Sequence, residues 1–466
     1  MHLTAATPPE TETLGTSETT APLQSVAQNE AGGPPLAVRW VHPVPDGPET
    51  PLTSGRLVVG RGDRCHLRLD GDGVSRHHAE FLVTGRTLGI RDLDSKNGVH
   101  VNGVRCAETE LRAGDVVRLG DCVGLVVHHA ALADHPAFGE VFPGLLAGPG
   151  MRWVLNAAKA AAPTDLPVVI EGETGTGKER VARALHGWSG RPGPFVAINC
   201  AAIPEALAEA ELFGYRKGAF TGAERASEGQ FRAAHRGTLL LDELVDLPLR
   251  LQAKVLRAIE LREVVPLGES RPVPVDVRIV SAAQAPLQAA VEAGRFRADL
   301  LARLDGLTLR LPPLRQRPEE VPFLFRRIAA RHGVLPPLDA RLVESLCVYD
   351  WPFNVRELEL LARRVVALHA AETMLRPEHL PDRMRAPRAA PRPPGPDDAP
   401  AEASARRTPA DDARDLAALV EALRRQNGNV ARAATEVGIS RPRAYRLMQG
   451  APELDLDGLR SGRTSD

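Results

Sequence analysis

Apolar and polar positions divide the chain into segments with different periods. Between residues 36 and 130, short apolar runs at 57–59, 79–83 and 125–127 alternate with turns rich in Gly, Asp and Asn. This spacing is typical of the strands of an all-β sandwich. From residue 145 onward, longer apolar runs alternate with amphipathic stretches of helical period. The second pattern predicts a parallel sheet that is covered by helices on both faces.

Five apolar runs are the candidate strands of this parallel sheet. A helical pattern follows at about 317–384 and predicts a small α-helical lid. We therefore expect an α/β domain over residues 140–384. Its candidate strands lie at 167–170, 195–198, 238–241, 277–280 and 307–311.

Other segments lack the apolar residues of a core. Residues 1–35 are rich in Thr, Glu, Ala and Pro and are predicted to be disordered. Residues 385–410 are predicted to be a Pro/Ala-rich linker, and 451–466 a polar tail. Between these two, the segment 411–450 opens with the stripe of an amphipathic helix. The stripe consists of Leu416, Leu419, Val420 and Leu423.

Length, charge and cysteine content limit which classes of protein this chain can belong to. The chain has 466 residues, a net charge of −1 and five cysteines. The length predicts several domains, and the balanced charge means that any nucleic-acid surface must be local. A sparse, odd set of cysteines fits a reducing compartment. Because the sequence also lacks a long apolar run and a signal peptide, we expect a cytoplasmic protein with no membrane partner.

A glycine-rich loop follows the apolar run at 168–170 and precedes a helical segment. In this order, backbone N–H groups can turn around phosphate oxygens, the helix N-terminus adds its positive dipole end, and a lysine reaches the terminal phosphates. The loop predicts an ATP site; the alternative is a βα turn with a chance lysine. It consists of Gly172, Glu173, Thr174, Gly175, Thr176, Gly177, Lys178 and Glu179, with Glu179 where Ser or Thr is usual.

Two carboxylates, Asp242 and Glu243, end the apolar run at 238–241. Opposite a phosphate loop, such a pair serves Mg²⁺ and the attacking water. We expect Asp242 to bind Mg²⁺ and Glu243 to polarise the water. The alternative is an acidic strand end on the surface.

A second glycine-rich loop carries a more specific resemblance. Gly218, Ala219, Phe220, Thr221, Gly222 and Ala223 match the signature loop of the sigma-54-interacting AAA+ ATPases. The resemblance covers residues 145–384. It implies a P-loop AAA+ fold, assembly into a hexameric ring, and contact of this loop with sigma-54 as the nucleotide state changes. From the residues alone, an ordinary glycine-rich surface loop would be the alternative.

The same resemblance assigns roles to four further residues. It implies that Asn199 holds the catalytic glutamate until the target is engaged. Arg297 and Arg303 match the arginine fingers that act on the site of a neighbouring subunit, although a solvated helix face would explain them as well. Arg356 matches the lid arginine that senses the nucleotide.

Two positions depart from that family. Gln284 stands where an asparagine is usual after the fourth strand, and its longer side chain can still bind a phosphate or water. Phe353 stands where glycine is usual, which predicts a different turn. Glu179, by contrast, is the residue that the family normally carries. We expect the changes to tune the rate of hydrolysis without abolishing it.

Four short motifs stand in sequence in the first domain: Leu57-Val58-Val59-Gly60-Arg61, Ser75-Arg76-His77-His78-Ala79, Asp94-Ser95-Lys96-Asn97-Gly98 and Val101-Asn102-Gly103. With them, residues 36–130 resemble a forkhead-associated (FHA) domain. The motifs that carry the resemblance stand in the order of that family, and a β-sandwich with ordinary polar turns is the alternative. The resemblance implies recognition of a phosphothreonine-containing protein, with charge-assisted donors to the phosphate and with asparagines that hold the peptide backbone and the loop. The residues concerned are Arg61, Ser75, Arg76, Asn97 and Asn102.

The last folded segment has one helical stretch at 427–434, the turn Val437-Gly438-Ile439-Ser440 and a second helical stretch at 441–447. This order resembles a Fis-type helix-turn-helix. Ser440 is positioned to cap a second helix, and Pro442 falls in its first turn, where a missing N–H costs nothing. We expect this small all-α domain at 411–450 to bind enhancer double-stranded DNA, while a helical dimerisation hairpin is the alternative. The predicted DNA contacts are Arg441, Arg443, Tyr445 and Arg446.

Together these segments predict a multidomain sigma-54-dependent activator. It would bind enhancer DNA, read a phosphothreonine, and use ATP and Mg²⁺ to remodel sigma-54 RNA polymerase holoenzyme for promoter opening. A phosphopeptide-dependent DNA-binding regulator with an idle ATPase is the alternative, supported by Gln284 and Phe353. An AAA+ remodeller of another target is a third hypothesis, against which the intact loop at 218–223 argues.

Overall fold

The computed structural model describes residues 36–385, apart from 45–46, 48, 53–54, 85–86, 130–137 and 222, together with 409–425 and 437. The chain forms two units, Met1–Ala386 and Pro387–Asp466. The predicted disordered segment 1–35, most of the predicted linker 385–410 and the predicted tail 451–466 lie outside the described residues.

The first part of the larger unit is a β-sandwich, as the sequence predicts. Its sheets have the strand orders β2-β1-β11-β10-β7-β8 and β4-β3-β5-β6-β9, and side chains such as Phe81 and Ile90 fill the space between them. The strands are β1 (Leu36–His42), β2 (Glu49–Pro51), β3 (Gly55–Gly60), β4 (Leu67–Arg68), β5 (Ala79–Thr84), β6 (Thr87–Asp92), β7 (Val99–Val101), β8 (Val104–Cys106), β9 (Glu108–Leu111), β10 (Val116–Leu119) and β11 (Cys122–His128).

An α/β domain follows the sandwich. The five strands expected from the apolar runs form one parallel sheet, ordered β15-β16-β19-β14-β20. Its elements are β12 (Gly139–Phe142), β13 (Leu145–Ala147), α1 (Arg152–Ala161), β14 (Val168–Glu171), α2 (Lys178–Ser189), β15 (Phe195–Asn199), α3 (Glu205–Phe213), α4 (Gln230–Ala233), β16 (Thr238–Asp242), α5 (Leu249–Leu261), β17 (Glu263–Val264), β18 (Val273–Pro274), β19 (Arg278–Ala283), α6 (Leu287–Glu292), α7 (Ala298–Leu304) and β20 (Leu307–Arg310).

The predicted helical lid contains α8 (Val321–Ala329), α9 (Ala340–Val348) and α10 (Asn354–His369). Its helices pack around Trp351 and Phe325, which are buried. Asp339 begins α9, because its carboxylate accepts a hydrogen bond from the Arg341 N–H at 2.8 Å. The lid is therefore a small helical layer with a core of its own.

The lid covers the outer face of one sheet of the sandwich. Val117 and Val126 point into the sandwich core, whereas Val116 and Leu125 belong to the hydrophobic cluster of the lid. Strands β10 and β11 are therefore buried on both faces. This explains why their sequences are nearly continuously apolar instead of alternating.

A buried ion pair fixes the same interface. Glu344 of α9 accepts a hydrogen bond from the Arg118 Nε at 2.6 Å and another from the Gly103 N–H at 3.0 Å. Nearby, burial lowers the pKa of His42 to about 4, and the positive charge of Arg326 adds to the effect. His42 is therefore neutral at pH 7, and the charge of this contact is carried by the Arg118–Glu344 pair.

The smaller unit contributes one described helix, α11 (Pro409–Arg425). The predicted stripe falls within this helix: Leu419 and Leu423 are fully buried, and Leu416 and Val420 are partly buried. The remaining residues of the predicted helix-turn-helix, including Arg441, Arg443, Tyr445 and Arg446, lie outside the described residues. In the described part of the chain, every helix is too short or too polar to cross a membrane.

We expect Glu344→Ala to weaken the docking of the sandwich on the lid. The change leaves the Arg118 guanidinium buried without its carboxylate, which costs about 3–5 kcal/mol. Hydrogen exchange of the Gly103 amide and the denaturant midpoint of unfolding would measure the loss. Glu292→Ala, at an exposed helix end, is the matched control. Equal protection of the Gly103 amide in the two variants would contradict the assignment.

Candidate functional site

The predicted phosphate loop connects β14 to α2. Gly175 and Gly177 have φ values of 80° and 106°, which favour glycine because a Cβ would be strained there. The side chain of Lys178 is buried, and its Nζ donates a hydrogen bond to the Gly172 carbonyl at 2.8 Å. The loop therefore holds its lysine at the centre of the turn, where phosphate oxygens would enter.

The lid closes over this loop through backbone and amide contacts. The Asn354 Nδ2 donates to the Thr174 carbonyl at 3.0 Å, and the Val355 N–H donates to the Gly175 carbonyl at 3.0 Å. Arg315 makes a two-fold ion pair with Glu173, at 2.8 and 2.6 Å. A change in the position of the lid must therefore move the phosphate loop or break these bonds.

Phe353 does not strain the turn that precedes α10. Its φ of −111° is accessible to any residue, and its side chain is exposed. The glycine usual at this position in the resembling family is thus not required by the backbone. The left-handed positions of this turn are instead taken by Trp351 and Asn354, with φ values of 50° and 51°.

The two carboxylates stand at the carboxyl end of β16. Glu243 has a left-handed φ of 53°, which turns the chain away from the strand. Its Oε1 accepts a hydrogen bond from the Gln284 Nε2 at 3.0 Å and lies 3.8 Å from the Lys178 Nζ. The carboxylate is therefore held between an amide and a cation.

Asn199 lies beside Asp242, because the two residues are partners in the parallel pairing of β15 and β16. Its Oδ1 accepts a hydrogen bond from the Ala201 N–H at 3.0 Å. Among the described residues, the structure has no hydrogen bond between Asn199 and Glu243. Gln284 makes the bond to the glutamate that the sequence led us to expect from Asn199.

One cavity of about 400 Å³ brings most of these residues together. The sequence did not indicate Arg180 and Glu359, which form an ion pair of 3.0 Å between α2 and α10 across its wall. A pair so distant in sequence has no local signal. From the predicted set, the cavity is lined by Thr174, Gly175, Gly177, Lys178, Glu179, Asn199, Asp242, Glu243, Gln284 and Arg356.

The two predicted arginine fingers are not among the residues that line this cavity. Arg297 precedes α7 and forms an ion pair with Asp299 at 2.6 Å. Arg303, in the last turn of α7, lines a separate cavity of about 180 Å³ together with Arg191 and Arg262. Within one chain, both guanidinium groups are therefore separate from the phosphate loop.

The loop at 218–223 lies between α3 and α4. The Gly218 N–H donates to the Ala223 carbonyl at 2.9 Å, which closes the base of the loop. The centre of the Phe220 ring lies 5.0 Å from that of the Tyr215 ring, with the two planes tilted by 59°, and Phe220 is 39% exposed. Thr221 is exposed, and Gly222 lies outside the described residues. The loop thus presents an apolar ring and a hydroxyl to the surface.

Loops at one end of the β-sandwich hold three predicted phosphopeptide contacts. Arg61 and Arg76 are exposed and, among the described residues, have no ion-pair partner. The loops that carry these arginines are joined by the Arg61 N–H, which donates to the Ser75 carbonyl at 3.0 Å. The Ser75 Oγ accepts a hydrogen bond from the Lys96 N–H at 3.0 Å and so is held in place. This end of the sandwich therefore offers free cations around a fixed hydroxyl.

The two predicted asparagines have different surroundings. The Asn97 Nδ2 donates to the Gly73 carbonyl at 2.7 Å, and Asn97 remains exposed. Asn102 is buried, and its amide bonds the Asp115 Oδ1 at 2.8 Å and the Val116 N–H at 2.9 Å. Asn102 thus holds the turn beside the lid and is not exposed for ligand contact.

The carboxylates that line the cavity of about 400 Å³ fit a divalent cation with oxygen ligands. Asp242 and Glu243 present carboxylates at the edge of the sheet, opposite Lys178. Hard cations such as Mg²⁺ bind few protein carboxylates and complete their coordination with phosphate and water. Asp242 is the residue that would hold the ion, and the ion would neutralise charge on the phosphates.

Three family models match parts of the chain. The sigma-54 interaction domain matches residues 146–310, and the AAA+ ATPase lid domain matches residues 315–395. The FHA domain matches residues 57–120. These matches fall on the α/β domain, the lid and the sandwich, respectively.

The chain is also similar to bacterial regulators. It is 47% identical over 234 residues to the transcriptional regulatory protein FlbD of Caulobacter vibrioides, which covers 49% of this chain and 51% of FlbD. It is 47% identical over 214 residues to the regulatory protein HrpS of Pseudomonas syringae, which covers 45% of this chain and 71% of HrpS. The chain spans about half the length of FlbD and of the NtrC proteins that it matches.

Among solved structures, the chain is similar to NtrX from Brucella abortus in complex with ATP. The identity is 29%, the match covers 65% of this chain and 68% of NtrX, and the TM-score is 0.46.

We expect Gln284→Ala to lower ATP turnover about ten- to one-hundredfold with little change in ATP affinity. The substitution removes the amide that orients the Glu243 carboxylate, and a hydrogen bond to a charged group contributes about 1.5–3 kcal/mol. Steady-state hydrolysis and equilibrium nucleotide binding would separate the two effects. Gln316→Ala, at an exposed position, is the control. Wild-type turnover in Gln284→Ala would exclude an orienting role.

Proposed function

This chain belongs to the sigma-54-dependent transcriptional regulators, and from that premise we propose that it activates transcription by hydrolysing ATP to remodel sigma-54 RNA polymerase. The observation that carries the proposal is the cavity that unites the phosphate loop, two carboxylates and a lid arginine. In it, Lys178 binds the terminal phosphates, and Arg356 contacts them from the lid.

The chemistry assigned to this cavity is hydrolysis. Glu243, oriented by Gln284, accepts a hydrogen bond from the attacking water and aligns it with the terminal phosphate. Bound Mg²⁺, held through Asp242, would neutralise charge on the phosphates. The left-handed backbone at Glu243 directs its carboxylate into the cavity rather than along the strand.

A short route connects the cavity to the loop at 218–223. Asn199 lies at the cavity edge and caps a 3₁₀ turn, Cys200–Ala202, that leads into α3. The C-terminal end of α3 is followed by the Tyr215 bridge and the loop with Phe220. We assign to this segment the transmission of the nucleotide state to the contact with sigma-54.

The position of Arg297 and Arg303 supports an oligomeric enzyme. Both lie away from the phosphate loop of their own chain. If either arginine stabilises the transferring phosphoryl group, it must therefore do so at the site of a neighbouring subunit. A ring, which we propose to be a hexamer, places each α7 against the next cavity.

We assign regulation of the ATPase to the β-sandwich and DNA binding to the C-terminal segment. Arg61 and Arg76 offer charge-assisted donors to a phosphothreonine, and docking on the lid gives that event a route to the nucleotide cavity. The C-terminal segment, with Arg441, Arg443, Tyr445 and Arg446, is proposed to bind enhancer DNA. The alternative of an idle ATPase loses support, because Phe353 is unstrained and Gln284 contacts the catalytic glutamate.

Open-complex formation with purified sigma-54 holoenzyme tests the motor. We expect Glu243→Gln to abolish ATP hydrolysis and open complexes, and Thr221→Ala to abolish open complexes while hydrolysis continues. The difference follows because Thr221 is exposed on the loop at 218–223 and does not line the cavity that holds the phosphate loop. Glu269→Gln and Thr373→Ala are matched controls at exposed positions. Wild-type promoter opening by Thr221→Ala would refute the assignment of the loop.

Binding of a phosphothreonine peptide tests the input. We expect Arg61→Ala and Arg76→Ala each to weaken binding at least about tenfold, because a charge-assisted bond to phosphate is lost. Isothermal calorimetry with phosphorylated and unphosphorylated forms of one peptide would measure the change, with Arg112→Ala as the control. Equal affinity for the two forms of the peptide would contradict phosphothreonine recognition.

A further inference from the structure

A second cavity, of about 630 Å³, lies between the β-sandwich and the lid. Its walls come from both domains, so neither domain forms it alone. From the sandwich, the wall includes Asp70, Gly73, Asn97 and Asp121, and from the lid it includes Leu338, Asp339, Arg341 and Met374. We call it the sandwich–lid cavity.

The sandwich–lid cavity adjoins the proposed phosphate contacts. Ser75 bonds the Lys96 N–H, and the next residue, Asn97, bonds the Gly73 carbonyl while lining the cavity. An extended peptide advances about 3.3 Å per residue. A peptide whose phosphate lies at Arg61 and Arg76, and whose chain continues past Asn97, would enter this cavity and meet the lid.

The lid side of the cavity is a fixed wall. Asp339 caps α9 through the Arg341 N–H, and its own N–H donates to the Leu375 carbonyl at 2.8 Å. The ion pair of Glu344 with Arg118 holds the same helix against the sandwich. The wall is thus preformed, and a ligand that touches it does not have to order it.

The side chains that line the sandwich–lid cavity include more carboxylates than guanidinium groups, namely Asp70, Asp121 and Asp339 against Arg118 and Arg341. Asp121 accepts the Gly73 N–H at 3.1 Å and, among the described residues, has no ion-pair partner. Asp339 faces Arg341, and Asp70 pairs with the exposed Arg68. Among the lining arginines, Arg118 is neutralised by Glu344. Arg326 does not line the cavity, but it contacts His42 of the wall at 3.4 Å and adds a positive charge beside it.

The histidines of this wall do not change that balance. Burial lowers the pKa of His42 to about 4, with Arg326 acting in the same direction and Asp121 and Asp339 acting against it. Burial also lowers the pKa of His100 to about 4, together with the charge of Arg118. Both rings are neutral at pH 7. Apolar surface from Leu338 and Met374 completes a lining that suits a long side chain with a charged end.

We propose that the sandwich–lid cavity is the second half of the phosphopeptide site and receives a lysine or arginine of the phosphothreonine-containing partner, between Asp121 of the sandwich and Asp339 of the lid. The proposal rests on the phosphothreonine recognition proposed above. A peptide that contacts both domains binds more tightly when the β-sandwich is docked on the lid than when it is not. Its binding therefore favours the docked state. Recognition of the partner is thereby linked to the lid that covers the phosphate loop.

Peptide binding to the full chain tests this inference by fluorescence anisotropy. The probes are labelled phosphothreonine peptides in an alanine–glycine background, with a single lysine or norleucine placed at each of the five positions on either side. In the wild type, we expect lysine at one position to bind roughly tenfold more tightly than norleucine. A phosphothreonine tripeptide, too short to reach the lid, is the reference for the phosphate contacts.

Variants on both walls should change the preference for lysine over norleucine in defined directions. Asp121→Asn and Asp339→Asn retain the acceptors that hold the Gly73 and Arg341 N–H groups but remove the charge, so each should reduce the lysine preference about three- to tenfold. Arg341→Ala removes the cation beside Asp339 and should increase that preference. Arg363→Ala and Glu110→Gln, at exposed positions elsewhere, should bind like the wild type. The tripeptide should bind all of these variants equally.

The outcomes distinguish this inference from the function on which it rests. Phosphate-dependent binding without a lysine preference, or with a preference that Asp339→Asn and Arg341→Ala leave unchanged, would overturn the role of the lid and leave phosphothreonine recognition intact. Failure of every phosphorylated peptide to bind more tightly than its unphosphorylated form would overturn both. The expected result is a lysine preference that changes in opposite directions in the two lid variants.

Discussion

The contact between the phosphate loop and the first turn of α10 is the constraint on which the rest of the site depends. The Asn354 amide and the Val355 N–H bond the carbonyl groups of Thr174 and Gly175, and a Cβ on Gly175 would lie 2.2 Å from the Phe353 carbonyl oxygen. Because the backbone of the lid is in direct contact with the backbone of the phosphate loop, the lid cannot shift without moving that loop. The nucleotide cavity is therefore a joint product of the sheet and the lid.

The lid is held on its other side by the β-sandwich. Apolar side chains from β1, β10 and β11 join the lid core, and Glu344 provides the polar anchor through Arg118 and Gly103. Such a buried pair stabilises one arrangement strongly only while both partners are present. One small helical layer thus lies between the proposed phosphothreonine loops and the proposed ATP site, and a shift of its docking equilibrium would be felt at both.

Two unusual residues have different consequences. Phe353 occupies a backbone conformation that any residue can adopt, so the loss of a glycine there has no local cost. Gln284 has a direct effect, because its longer side chain reaches Glu243 while Asn199 bonds the Ala201 N–H instead. The glutamate is thus held by a residue of β19's carboxyl end rather than by one of β15. Regulation of hydrolysis would then respond to movement between β16 and β19.

The sequence by itself determined the sandwich, the five parallel strands, the phosphate loop and the carboxylates of Asp242 and Glu243, because each depends on local period or on residues close in the chain. Only the tertiary structure decided which amide holds Glu243, and that Asn102 is buried. It also decided that α9 covers the sandwich through Glu344, 226 positions from Arg118. Contacts between distant segments carry no local pattern: a buried glutamate and a solvated one look alike in a helix until the surface packed against it is known.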